Sequence, residues 1–296
     1  MAITSRADRV GFIGLGAMGL PMARNAVAAG APVGLTGRSP AKAASLVEAG
    51  AVWHDSPRSL AAQSDVIVLM LPDLPEVETV LDGPDGILAA SPRDLVLVIS
   101  STSSPDGVRA LNRRLAERTA AAVRVIDAPV SGGTDGAAAG TLSIMVGGAD
   151  GDVRRALPLL RACGTPVHLG PLGAGQVAKA CNQMIVASTI LALGEAAVLA
   201  DRSGLDLTVL FDLLAGGYAG SRILATRGQR LVTEDYSPSG PARYMAKDLD
   251  FAASVAAETN SHPMLLPAVR EAFQELVARG LGDFDIAVTR RFIDQR

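Results

Sequence analysis

Short apolar runs alternate with segments of helical periodicity up to about residue 170, and the runs then stop. Those at 10–13, 33–36, 65–71, 95–99, 123–126, 142–146 and 167–169 are too short for helices and are bounded by turn residues, so they predict strands. Helical patterns fill the intervals, several opened by capping pairs such as Ser56-Pro57 and Ser104-Pro105. Strand alternating with helix predicts a doubly wound, largely parallel sheet. Beyond Gly170 the pattern is helical throughout. Residues 173–203 contain no proline and predict one long helix, roughly 45 Å at 1.5 Å per residue. Further helices are expected at 208–215, 221–232, 245–259 and 264–279, with a last one near the C-terminus. No repeat or Gly/Ser linker separates the halves, so the long helix is expected to join them.

The first strand ends in Gly14-Leu15-Gly16-Ala17-Met18-Gly19, a G-x-G-x-x-G that opens a helical stretch closed by Gly30. In a strand–turn–helix unit Gly14 permits the tight turn, Gly16 lets a pyrophosphate approach the backbone, and Gly19 lets the helix pack on the strand. Phosphates then meet the amides of the helix N-terminus. The fold class expected is therefore α/β, an N-terminal Rossmann sheet over residues 1–171 followed by an all-α domain over 172–296. A dinucleotide site usually places Asp or Glu after the second strand to bind the ribose 2′-hydroxyl, and this chain has Gly37-Arg38-Ser39 instead, with Lys42 one turn on. A guanidinium beside a hydroxyl suits a 2′-phosphate. NADP is the expected cofactor and NAD stays possible, since Arg38 also fits a solvated loop.

Composition narrows the classes. The 296 residues are 49% hydrophobic, enough for a sizeable core and more naturally two domains than one. Net charge is −3, which gives no electrostatic footprint for nucleic acid or an anionic membrane. Two cysteines, Cys163 and Cys181, make no disulfide framework, and no His/Cys cluster has metal-ligand spacing. A reducing, cytoplasmic setting is expected. Arg6, Asp8 and Arg9 precede the first strand where a signal peptide would carry its apolar core, and 186–200, broken by Glu195, reads as a buried helix too short and polar to span a bilayer.

Ligands in open α/β sheets bind outside the carboxyl ends of the strands. Three small-residue segments fall there: Leu71-Pro72, the loop from Ser100 through Thr102 to Pro105, and Pro129-Val130-Ser131-Gly132-Gly133-Thr134. The Ser131-Gly132-Gly133 turn offers amides and a hydroxyl suited to a carboxylate, although it also fits a plain turn. At the start of the long helix, Lys179 and Asn182 are three residues apart and share a face. Ala178, Ala180, Cys181, Met184, Ile185 and Val186 surround Lys179 with apolar residues, with Cys181 read as a small hydrophobe. Desolvation there would lower the lysine's pKa and suit it to proton transfer; the alternative is a snorkelling surface lysine. His54, His168 and His262 pair with no nucleophile motif. Glu195 lies sixteen residues past Lys179, roughly 24 Å along the helix, too far to be its partner.

Taken together, Gly14 to Gly19, Asp127-Ala128-Pro129-Val130-Ser131-Gly132-Gly133, Gly173-x-Gly175-x-x-x-Lys179-x-x-Asn182 and Lys247-Asp248-Leu249 resemble the β-hydroxyacid dehydrogenases across the whole chain. That family includes 3-hydroxyisobutyrate dehydrogenase and tartronate semialdehyde (2-hydroxy-3-oxopropionate) reductase. The resemblance implies Lys179 as acid/base, an orienting Asn182, a substrate carboxylate held by Ser131, Gly132 and Gly133, and nicotinamide-side contacts from Thr102 and Lys247. It also implies a homodimer or homotetramer packed through the long helix. Ile99 departs from the acidic residue common before the Ser/Thr loop. Thr134 to Ala137 leans toward hydroxyisobutyrate enzymes and Gly216 to Ser221 toward tartronate semialdehyde and glyoxylate reducers, so the substrate stays open between them. An imine reductase on the same scaffold and a non-catalytic dehydrogenase-like module are the rivals; relatives of both kinds lose the lysine that this chain keeps.

Overall fold

The structure is a computed structural model that describes residues 8–296; Arg6 of the N-terminal reading lies outside them. Nine strands form one sheet among the described residues: β1 Val10–Ile13, β2 Val33–Thr36, β3 Val52–Trp53, β4 Val66–Leu69, β5 Leu95–Ile99, β6 Val123–Asp127, β7 Val130–Ser131, β8 Leu142–Gly147 and β9 Gly164–Gly170. Their order is β3-β2-β1-β4-β5-β6-β8-β7, with β9 beside β8. All pairings from β3 to β6 are parallel, β8 runs antiparallel to β6 and β7, and β9 is parallel to β8.

The central strands are apolar at nearly every position because helices cover both faces of the sheet. Alternate side chains of β5 separate accordingly. Val96 and Val98 join Phe12, Leu35, Met22 and Ala26 in one core, while Leu95, Leu97 and Ile99 join Val108, Leu111 and Leu115 in the other. Ile99, the departure from the family pattern, is thus a core residue facing the helix Pro105–Thr119.

Three strand readings are corrected. Val52–Trp53 and Val130–Ser131 are strands where none was expected, and β9 begins at Gly164 rather than 167. A two-residue strand has no periodicity of its own; Val130 and Ser131 are extended because they pair with Ile144 and Ser143.

The chain divides into two compact units at Lys179/Ala180, inside the helix Ala174–Arg202. The second unit is helical, with Leu207–Ala215, Arg222–Thr233, Ala242–Glu258, Leu266–Ala278 and Thr289–Asp294 near the expected positions. The fully buried Asp285 organises one end of it, accepting from Ser239 Oγ (2.5 Å) and the Ala287 amide (3.0 Å) and pairing with Arg227 (3.3 Å). The long helix differs from its expected burial. Cys181, Ile185, Glu195 and Leu199 lie exposed on one side of it, so Cys181 is not a core hydrophobe. By length and composition alone the 29-residue helix could cross a membrane, and 44% of its most apolar 18-residue stretch is buried inside the fold.

Candidate active site

The glycine loop after β1 has the shape its sequence suggests. A Cβ on Gly14, which sits at φ +101°, would collide with the carbonyl of Met70, and one on Gly19 would collide with the carbonyl of Gly14. Both glycines are required by packing. Gly16 and Ala17 are exposed, and nothing lies within 4 Å of where a Gly16 side chain would start. Leu15 is buried beneath the loop, Met18 is half-buried, and the Leu71 side chain lies against Gly14. Pro72 follows at the surface. At the end of β2, Arg38 is exposed and makes no ion pair among the described residues, with Ser39 half-buried beside it.

The loop after β5 carries Ser100, Ser101 and Ser103, all buried, whose hydroxyls have no hydrogen-bond partner. An unsatisfied buried polar group costs about 1–3 kcal/mol. Three in one loop fit a ligand that brings its own polar groups. The backbone of the same loop is held by Gln176, whose Nε2 donates to the Ser101 carbonyl (2.9 Å) and whose Oε1 accepts from the Ser103 amide (3.0 Å). Thr102 is half-buried between them, and Ser104 caps the next helix through the Gly107 amide (3.2 Å). Open glycine, free guanidinium and orphan hydroxyls at the carboxyl ends of β1, β2 and β5 suit the phosphates, 2′-substituent and nicotinamide end of a dinucleotide.

Lys179 is buried, 7% exposed, and its Nζ donates to the carbonyl of Val130 at 2.8 Å. That carbonyl immediately precedes Ser131, which is half-buried, and Gly132 and Gly133, which are exposed at φ +136° and +64°. The structure therefore brings the lysine to the proposed carboxylate turn. The long helix places it there, and the start of that helix is bound by Asp127 at the end of β6.

In the second unit Asn182 donates to Gln183 Oε1 (2.9 Å), and Gln183 Nε2 donates to Asp248 Oδ2 (2.7 Å). Lys247 pairs with the other Asp248 oxygen at 3.5 Å and lies over the Phe251 ring. Sequence reasoning left Asp127, Gln176, Gln183 and Asp248 without roles, although each stands in or beside a quoted motif. Their signal is burial of a polar side chain, which no spacing rule displays.

Fold and glycine loop define a dinucleotide-binding oxidoreductase of Rossmann type, with Lys179 buried against the Val130 carbonyl. Residues 9–173 match the family described as the NAD binding domain of 6-phosphogluconate dehydrogenase, and residues 173–292 the family described as NAD-binding of NADP-dependent 3-hydroxyisobutyrate dehydrogenase. The chain is 37% identical over 278 residues to 2-hydroxy-3-oxopropionate reductase of Escherichia coli K12, covering 94% of each. It is 36% identical over 295 residues to the NAD-dependent L-serine dehydrogenase of Pseudomonas aeruginosa, covering 97% of this chain and 98% of that one. Among solved structures, 3-hydroxyisobutyrate dehydrogenase of Salmonella typhimurium superposes with a TM-score of 0.86 at 28% identity, over 96% of this chain and 99% of that chain. The chain belongs to the β-hydroxyacid dehydrogenase family. It is an enzyme of the NAD(P)-dependent hydroxyacid dehydrogenase class.

Proposed function

We propose an NADP-preferring dehydrogenase that interconverts a small 3-hydroxycarboxylate and its semialdehyde, of the 3-hydroxyisobutyrate or 2-hydroxy-3-oxopropionate type. The observation that carries this reading is Lys179, buried and hydrogen-bonded to Val130 beside the Ser131-Gly132-Gly133 turn. A bound nicotinamide would supply hydride exchange at the carbinol carbon. The residues of the chain move the proton and hold the substrate. In oxidation, neutral Lys179 Nζ takes the hydroxyl proton; in reduction, the ammonium polarises the carbonyl and returns it. The Val130 carbonyl aims Nζ. The Ser131 hydroxyl and the amides of Gly132 and Gly133 bind the carboxylate and set the 3-carbon relative to the lysine.

Asn182, oriented by Gln183, is assigned to the substrate, and Thr102 and Lys247 to the nicotinamide side. Gly14, Leu15, Gly16, Ala17, Met18 and Gly19 form the pyrophosphate loop, flanked by Leu71 and Pro72, while Arg38 and Ser39 take the 2′-phosphate. NADP over NAD rests on Arg38 standing where an acidic residue would select the 2′-hydroxyl. The exposed apolar residues Ile185 and Leu199 of the long helix support a homodimer or homotetramer, and the protein is assigned to the cytoplasm.

The test is a panel of 3-hydroxyisobutyrate, L-serine, glycerate and the matching semialdehydes, with cyclic imines as controls, followed by NADPH and NADH absorbance. Turnover confined to the hydroxyacid arm is expected. Turnover of imines alone would replace this reading with an imine reductase, and silence throughout would favour a binding module.

A further inference from the structure

Asp127 is the fully buried last residue of β6, and the proton-transfer scheme above does not use it. Its Oδ1 accepts from the Gly173 amide and its Oδ2 from the Gln176 amide, each at 2.7 Å. These are two of the amides that the first turn of the helix Ala174–Arg202 leaves without helical partners. Two glycines make room for the carboxylate. A Cβ on Gly147 would come within 2.5 Å of Oδ1, and one on Gly175 within 2.8 Å of Oδ2. Burial pushes the Asp127 carboxyl up to about 6 even though the amides of Gly173, Gln176 and Gly175 pull the other way. A Ser or Asn cap would satisfy a helix start without burying a charge. What the carboxylate adds is a fixed link from the end of a sheet strand to that turn.

The same turn carries two other connections. Gln176 holds both sides of the serine loop, and Lys179 reaches the carbonyl of Val130, three residues beyond Asp127 in the chain. A helix advances about 100° per residue, so a small rotation of the first turn would swing both side chains off their partners. We infer that Asp127 is a positioning residue for proton transfer: by binding the Gly173 and Gln176 amides it sets the rotation and height of the first helical turn, and so holds Lys179 on Val130 and Gln176 on the serine loop. This rests on Lys179 being the acid/base, and the test separates the two.

The chain has three lysines, Lys42, Lys179 and Lys247, so acetylation with limiting acetic anhydride followed by mass spectrometry reads Lys179 directly, with exposed Lys42 as internal standard. Asp127→Asn keeps the shape but sets an amide donor against a backbone donor. It is expected to raise Lys179 acetylation at least about fivefold relative to Lys42. It should also lower kcat about tenfold to a hundredfold, the range that follows from displacing a reacting group by about 1 Å, with KM for NADPH within twofold of wild type. Asp206→Asn is the comparison variant. It removes the charge from the cap on Thr208 and Val209 in the second unit while keeping the accepting oxygen, and should leave kcat and Lys179 labelling unchanged.

Asp127→Ser retains one acceptor and is expected to fall between wild type and Asp127→Asn. If either Asp127 variant folds and leaves both kcat and Lys179 labelling at wild-type values, the inference is overturned. Failure of both to fold overturns it in favour of a purely structural cap. Labelling that rises while Lys179→Ala proves fully active would uphold the positioning of Lys179 and overturn its catalytic assignment instead.

Discussion

The two ends of the parallel sheet are built in opposite ways. At the amino ends of β1, β4, β5 and β6, charges are matched into a network: Arg9 with Asp65 (3.0 Å), Arg155 with Asp8 (3.2 Å) and Asp94 (3.1 Å), and Arg124 with Asp94 (2.6 Å) and Asp152 (2.7 Å). At the carboxyl ends three buried hydroxyls lack partners, the Arg38 guanidinium is free among the described residues, and Gly16 faces open space. The amino end stabilises the fold. The carboxyl end leaves these three serine hydroxyls unpaired and so bears a local energetic cost that a ligand can relieve. Lys179, Gln176 and Asp127 belong to that second end.

If the contrast is right, changes at the carboxyl end alter turnover with little effect on folding. The largest effect falls on Lys179: Lys179→Ala should cut turnover by about two to four orders of magnitude, the usual worth of general acid–base catalysis. NADPH affinity by fluorescence titration should survive. Retention of more than a tenth of wild-type turnover in a chemistry-limited assay would remove the lysine from the mechanism.

Arg38→Asp comes next. A carboxylate repels a 2′-phosphate and accepts from a 2′-hydroxyl, and a charge-assisted hydrogen bond is worth about 1.5–3 kcal/mol, so kcat/KM for NADPH should fall by about tenfold to a hundredfold while use of NADH improves. Steady-state kinetics with both cofactors read this, and a wild-type preference for NADH would make Arg38 a loop residue only.

A smaller effect is expected at Ser131. Loss of its hydroxyl should lower kcat/KM for the free acid about tenfold, and less for the methyl ester, which presents a weaker acceptor. Wild-type enzyme indifferent to acid against ester would show that the turn does not bind a carboxylate.

The smallest effects concern pH, and there the two ends differ in sign. Burial raises the Asp127 carboxyl from its ordinary 3.8 to about 6, so its contribution to stability is present below about 4 and is lost as pH rises through about 6. The Arg9 hydrogen bond holds Asp65 below 3.8, so its contribution is present above that value and is lost as pH falls. Urea midpoints from pH 4 to 8 should therefore show less decline toward high pH in Asp127→Asn than in wild type. Asp65→Asn should lose about 1 kcal/mol or less at pH 7, since that pair is partly exposed, with kcat unchanged. Parallel pH curves for wild type and Asp127→Asn would refute the carboxylate's cost.

What could be read from the chain was local. Gly14, Gly16 and Gly19 carry their geometry in their spacing, the central strands show their two-sided burial as continuous apolar runs, and the long helix shows its length by the lack of proline. Motifs quoted in order were enough to recognise the family. Tertiary structure decided what depends on partners distant in sequence. Val130–Ser131 is a strand only because β8 lies beside it. Asp127 reaches Gly173 and Gln176 across 46 and 49 residues, and Gln176 reaches the serine loop across 73 and 75. The exposed side of the long helix, with Cys181 on it, was equally hidden, because a helix apolar nearly all round gives no periodic signal of which side the fold covers. Propensity and spacing act within a few residues, whereas hydrogen-bond satisfaction and burial are set by whatever the folded chain brings alongside.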